Sequence, residues 1–344
     1  MRLWTILLGI MVFCAGSASP ALAQRFPFER SFDVTGPSAL DISTIRGKIE
    51  VTVGEPGRVV VAGTATVRVD WNIPPNAADL ARNVANNPPI QREGQTLRLR
   101  PPPAGAEQRA VTVSYQVRVP PETEVTAASA SGATSVRSVT GAVVIRTQSG
   151  AIDVTRLGGT AVVTTGSGSV TADGVAGSLS VTTSSSGVTA HSVAGDLRVR
   201  TNSGEVEAVL SGEGNVDVET GSSAIRLSGI RGSVIATTRS GHVTLQGVPR
   251  RDWVASAGSG SIEIATESFV PLSIDAGSGS SVKIIGASVQ GSISKRKVVG
   301  SIAGGGPLVK VASRSGSIVI RLFEKEGSLT HTRRGATLRH ARIH

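Results

Sequence analysis

The sequence predicts an all-β chain: a flattened parallel β-solenoid of about 18 residues and two strands per rung, preceded by a small β-rich capping domain with one short helix. Three observations carry that prediction. First, a Ser-Gly or glycine-like position returns at a nearly constant step, at Gly132, Gly150, Gly168, Gly187, Gly204, Ser223, Gly241, Gly260 and Gly279, and Gly316 follows after twice that step. Second, Val, Ile, Leu and Ala alternate with polar residues between these positions at a spacing of two, the mark of strands with one buried face. Third, aromatic residues make up only 3% of the chain, which favours a thin core of small aliphatic layers over a globular core built on rings.

Taken in order, residues 1–23 differ from everything after them. Arg2 precedes an apolar run from Leu3 to Phe13, and small residues then end in Ala21-Leu22-Ala23. This is the layout of a secretory signal peptide, with cleavage expected before Gln24. Cys14 raises lipoprotein processing as an alternative, against which stands the bulky Phe13 directly before it. Cys14 is the one cysteine of the sequence, so the processed chain is expected to have neither disulfides nor thiol chemistry. No later apolar run reaches the ~18 residues that a membrane-spanning helix needs.

Residues 24–125 are read as the β-rich capping domain. Phe26, Phe28 and Phe32 open it, and Leu40, Ile42, Ile49, Val51 and Val53 alternate with polar neighbours around Arg46-Gly47. Strands are also expected over 59–69, 96–100 and 110–119. Asn76 is placed to cap a short helix carrying Leu80 and Val84 on one face, and Asn87-Pro88-Pro89 ends it because proline cannot continue a helix.

Residues 126–322 are read as the solenoid repeat and 323–344 as a basic tail. After Gly150 come Ile152 and Val154, then Leu157 before Gly159, then Ala161, Val163 and Thr165 before the next Ser-Gly. The same slots hold Ile225 and Leu227, then Ile230, Val234, Ala236 and Thr238. Glycine between the halves is expected to make a tight turn of positive φ. A sandwich of hairpins would share the beat of one strand and one turn, but it has no reason to keep identical residues in register every two strands. A lone rung should not fold, because its few small apolar side chains do not offset the cost of ordering its backbone. Each end of the stack would then expose an edge open to end-to-end self-association.

These residues also carry a resemblance. The lead ending in Val117-Arg-Val-Pro-Pro121, the Ser-Gly repeats, and Val299-Gly-Ser-Ile-Ala-Gly-Gly-Gly-Pro before Ser315-Gly-Ser-Ile are similar to the putative adhesin family of bacterial β-strand-repeat domains. The resemblance implies an extracytoplasmic β-solenoid and supplies no catalytic residues.

Lys and Arg number 35 against 25 for Asp and Glu, and the leader holds only Arg2 of them, so the processed chain stays strongly basic. That balance suits anionic envelope polymers, lipid head groups or another protein as partners. Nucleic acid is excluded by the secretory leader and by the lack of interleaved aromatics for base stacking. Asp153, Asp173, Glu205, Glu207, Asp217, Glu219, Glu263 and Asp275 all fall in outward slots or turns, but they do not share one slot across successive rungs as a paired-acid or calcium site would favour. The serines sit in turns without a histidine partner, and His191 and His242 fall in different rungs, with His331, His340 and His344 in the tail. No catalytic residue, cofactor or metal site is therefore expected. Trp253 occupies a slot otherwise held by Val, Leu or Ala and is read as core rather than as a sugar platform, whereas Phe269 is left open between the two. The candidate surface contacts are Lys295, Arg296 and Lys297, with Arg333 and Arg334 in the tail. The function expected is a non-enzymatic secreted envelope protein, adhesin-like or scaffolding, in the periplasm or on the cell surface. The alternatives are a carbohydrate-active β-helix enzyme and a periplasmic sensor or regulatory partner.

Overall fold

The structure is a computed structural model that describes residues 24–69, 74–268 and 270–323. The leader, Phe269 and the tail with Arg333 and Arg334 lie outside the described residues. Two long sheets, of 14 and 15 strands, face each other along the chain. In each, twelve strands run parallel, so the stack is about 50 Å long at the usual ~4.8 Å between strands.

The rung is the one read from the period. Val143–Thr147 pairs with Ala161–Thr165, that strand with Leu179–Thr183, and that with Leu197–Thr201, each partner one repeat further along the chain. The facing sheet steps likewise from Ile152–Leu157 to Val170–Val175 and Val188–Val193. Alternation buries every second side chain, and the register stacks like on like: Leu179 on Leu197, Val181 on Val199, Thr183 on Thr201. The resulting core is one continuous layer of Val, Leu, Ile and Ala between the sheets.

Trp253 is wholly buried among these aliphatics, as read from its slot, and its indole Nε1 donates to the Gly232 carbonyl at 3.1 Å. The inward threonine has a definite task. Thr165, Thr201 and Thr238 accept through Oγ1 the amide N–H of Gly168, Gly204 and Gly241, at 2.9 to 3.0 Å, and Ser313 does the same for Gly316. Each hydroxyl thus satisfies the turn amide three positions on. Thr201→Val keeps the shape and removes the acceptor; a loss of roughly 1–3 kcal/mol is expected from the urea midpoint, while Thr201→Ser should cost less than half of that.

Glycine between the halves, at Gly159, Gly177 and Gly195, does not take the positive φ expected there; among the glycines of the regular rungs that conformation falls at Gly174 and Gly229. The Ser-Gly glycines Gly150, Gly168, Gly241 and Gly260 do not have positive φ; a Cβ at Gly260 would overlap the carbonyl oxygen of Gly241 one rung below, and one at Gly168 that of Gly150. Close approach between rungs is the constraint. The column also corrects one position: the fourth of those read from the sequence is the buried Ser186, over whose carbonyl Gly204 sits, while Gly187 lies outside it.

Rung order departs from chain order at both ends. After Trp253–Ala257 and Ile262–Glu267, the chain skips a place and forms Leu272–Ser278 and Val282–Ile285. It then makes an antiparallel hairpin, Gln290–Ile293 with Lys297–Ile302, and returns to fill the vacant place. Leu308–Ser313 lies between Trp253–Ala257 and Leu272–Ser278, and Ile318–Phe323 lies between Ile262–Glu267 and Val282–Ile285. Gly316 therefore stacks directly on Gly260, and Gly279 lies beyond it, not between them as a uniform period implies.

The other end has the same arrangement. Ala39–Thr44 lies between Thr96–Leu99 and Glu124–Ser129, and Ile49–Val53 between Val111–Val119 and Thr134–Arg137. Residues 24–125 thus contribute strands to the same two sheets. Arg25–Asp33 and Arg58–Val67 extend one sheet with antiparallel strands, and the expected helix, Ala77–Asn86, packs against them through Ala77, Ala81, Val84 and Ala85. Asn76 stands at its N-cap but makes no side-chain capping bond. A second helical turn, Ala106–Ala110, precedes Val111–Val119, and a short strand, Ile90–Glu93, pairs with Thr96–Leu99; both are additions to the elements expected from the sequence. Tyr115 lies edge-on to Phe28 and donates its hydroxyl to the Arg100 carbonyl at 2.9 Å, and burial pushes its phenol well above the ordinary value.

Candidate functional site

The outward slots carry the charged chemistry, and most of it is cross-rung pairing. Arg200 grips Asp217 of the next rung through two bonds of 2.9 and 2.6 Å and reaches Glu219 at 3.2 Å, while Arg198 lies 3.4 Å from Asp217. Glu205 pairs with Arg226, Glu263 with Arg321 at 2.8 Å, and Asp153 with Arg137 at 3.9 Å. At the capped end Arg100 holds Asp41 at 2.8 Å. Of the eight candidate carboxylates, Asp153, Glu205, Asp217, Glu219 and Glu263 are thus held by arginine. Among the described residues, no group of three His, Cys, Asp or Glu is placed to hold a metal ion. His191 stands beside Asp173 in the register, while the His242 ring accepts the Ser261 amide at 3.3 Å.

The hydrogen bond from Arg200 holds the Asp217 carboxyl below the ordinary carboxylate range, and that from Arg100 does the same for Asp41. Both folded values lie under the unfolded one. Their contribution to stability is complete above an unfolded pKa of about 4 and is lost as pH falls through the lower folded values. Unfolding in urea is therefore expected to become easier on going from about pH 6 to about pH 3, and the paired variant Asp41→Asn/Asp217→Asn should flatten that dependence.

The most regular surface feature is the edge where the first strand of each rung turns into the second. Here lie the serines of the repeat, Ser131, Ser149, Ser167, Ser185, Ser203, Ser222, Ser240, Ser259 and Ser315, all exposed. Each donates its amide to a carbonyl one rung below, so the column advances one rung at a time. Beside it runs a second column, the residue just before each serine: Asn202, Gly221, Arg239, Gly258 and Arg314 in successive rungs.

Two shallow grooves follow this edge. One, of about 430 Å³, is lined by Thr182, Arg200, Asn202, Glu219, Thr237 and Arg239 among others. The next, of about 480 Å³, runs from Thr238 and Arg239 through Ser256 and Gly258 to Ser313 and Arg314. They meet at Thr238 and Arg239 and form one trough. A smaller cavity of about 210 Å³ lies on the same edge at the capped end, among Arg46, Gly47, Arg68, Pro101, Pro102 and Arg109.

Lys295, Arg296 and Lys297 are exposed together at the turn of the hairpin that ends the stack, where positive charge on an edge discourages pairing with another chain. Arg239 and Arg314 are absent from the candidates drawn from the sequence, although a signal is present: both stand directly before a Ser-Gly, two rungs apart. Among the described residues no helix is long and apolar enough to cross a membrane.

No curated protein matches the chain. Among solved structures, it is similar to a putative cell adhesion protein from Clostridium sporogenes, with 10% identity and a TM-score of 0.18 over 86% of this chain and 99% of that one. It is also similar to a putative adhesin from Bacteroides fragilis, with 12% identity and a TM-score of 0.30 over 86% of this chain and 96% of that one. The family model described as Toastrack DUF4097 matches residues 110–321, which takes in most of the stacked rungs and well over half of the 344 residues. The chain belongs to the Toastrack DUF4097 family.

Proposed function

We propose that the protein is a non-enzymatic envelope component, adhesin-like or scaffolding, that works outside the cytoplasm through the long sides of its rod. The observation that carries this reading is the exposed serine column, which offers the same hydroxyl at rung after rung along the stack. A surface that repeats in this way suits many weak contacts with a repeating partner, which add up through effective concentration. The pairing of the outward carboxylates with arginines is consistent with a structural role for them. The signal peptide read over residues 1–23 supports secretion, with the periplasm as the compartment and the cell surface as the alternative.

The test has two arms. Purified protein, titrated onto intact bacteria and onto isolated envelopes, is expected to bind in a saturable, concentration-dependent way. Assayed against envelope and plant polysaccharides, it is expected to release no product. Hydrolysis or elimination abolished by Glu205→Gln or Asp217→Asn would overturn the reading in favour of a carbohydrate-active enzyme. Fractionation followed by protease shaving of intact cells places the protein: protection is expected for the periplasm, cleavage for the surface.

A further inference from the structure

We infer that the trough along the Ser-Gly edge is a binding site for a linear anionic polysaccharide, laid parallel to the solenoid axis with its acidic groups on Arg239 and Arg314. This inference deepens the adhesive reading above and rests on it.

The arginine geometry is the first argument. Arg239 and Arg314 occupy the same turn slot two rungs apart, about 10 Å, with Gly258 between them and Gly221 before them. The alternation of arginine with glycine keeps the two charges more than a Debye length of ~8 Å apart at physiological salt, so they repel little. It also leaves a gap in the column beside each guanidinium. Both arginines are exposed, and neither has a carboxylate partner among the described residues. This sets them apart from Arg200, Arg226 and Arg321, which are each held by an acid. The acid that lines the trough, Glu219, is itself held by Arg200.

The second argument is the rest of the lining. Thr182, Thr237 and Ser256 line the trough with hydroxyls, and the exposed Ser240, Ser259 and Ser315 follow Arg239, Gly258 and Arg314 in the chain, at its margin. Hydroxyls at rung height, with two cations about 10 Å apart, match an extended polyuronate, whose acid groups two sugars apart would meet Arg239 and Arg314. Arginine meets a carboxylate or sulfate through paired N–H donors. No aromatic residue lines the trough, so single-stranded nucleic acid would find no stacking platform. No large apolar side chain lines it either, so a membrane surface would find nothing to insert.

Affinity electrophoresis of the chain from Gln24 to His344 tests this, with polygalacturonate, neutral dextran, single-stranded DNA or anionic phospholipid vesicles in the gel. Polygalacturonate is expected to retard the protein most and dextran not at all. Arg239→Gln/Arg314→Gln should weaken retardation by polygalacturonate tenfold or more. Arg231→Gln/Arg251→Gln, the same loss of charge at the opposite turns, should change it less than twofold. Matching urea midpoints would show that all variants are folded. Equal losses in the two pairs would mean diffuse charge attraction and overturn the site. So would stronger retardation by DNA or vesicles, or no retardation at all. If Arg239→Gln/Arg314→Gln still binds cells like the unchanged protein, the trough fails and the adhesive reading stands; if the unchanged protein binds no cells, the adhesive reading itself fails.

Discussion

Val311→Asp is expected to release the described stack from Ser268 onward as one unit while the rungs before it stay folded. Val311 is buried and stacks between Ala255 on one side and Ala276 on the other. A carboxylate there has no partner and loses its hydration, a change that belongs among the largest effects of single substitutions, above about 4 kcal/mol. The consequence spreads outward because of rung order. Leu272–Ser278 and Val282–Ile285 reach the body of the solenoid through Leu308–Ser313 and Ile318–Phe323. In a stack held by neighbour contacts, loosening the inserted rung frees everything beyond it. Limited proteolysis should cut first within 268–307, and unfolding in urea should split into two transitions. Lys310→Asp, at the adjacent position but facing solvent, should leave a single transition.

Trp253→Ala is expected to cost about 3–5 kcal/mol in a single global transition. The ring is fully buried between Val234 below and Val309 above, and small neighbours on a rigid ladder cannot close over the space it leaves. Its removal also takes the indole donor from the Gly232 carbonyl. Trp253→Leu should recover part of the loss in urea midpoint.

Much of this fold is legible in the sequence because a solenoid writes its geometry into local spacing. The two strands per rung, the inward slots, the burial of Trp253 and the helix after Asn76 all follow from alternation and turn chemistry over short stretches of chain. Rung order is not legible in the same way. A rung stacks on any other rung with the same slots, so Gly279 fits the period after Gly260 as well as Gly316 does. The doubled step between Gly279 and Gly316 is the remaining trace of the excursion. Ser186 escapes a sequence reading because Gly187 beside it satisfies the same pattern, and only the stacking of Gly204 over Ser186 separates them. The helical turn Ala106–Ala110 is too short to show a period.

The candidate site is legible in part. The serines read as turn residues, and the cationic hairpin from Lys295 to Lys297 stands out as a charge cluster. That the serines form one exposed column, and that Arg239 and Arg314 share a slot beside it, depends on the register between rungs. The same register explains why the outward carboxylates face arginines: Asp217 lies opposite Arg198, with Arg200 one outward slot along the same strand.

The central claim is that the terminal rungs are inserted out of chain order, and disulfide trapping tests it directly. The chain from Gln24 has no native cysteine. In Ser256→Cys/Ala312→Cys the two positions are register partners on adjacent strands, within the range of about 4.4–6.8 Å between Cα atoms that a disulfide bridges. In Ser256→Cys/Gly277→Cys the positions lie two strands apart, about 10 Å, which is too far. Under mild oxidation the first pair is predicted to cross-link and the second to stay reduced. Rapid cross-linking of the second pair, with the first pair left reduced, would show the rungs stacked in chain order and contradict this account.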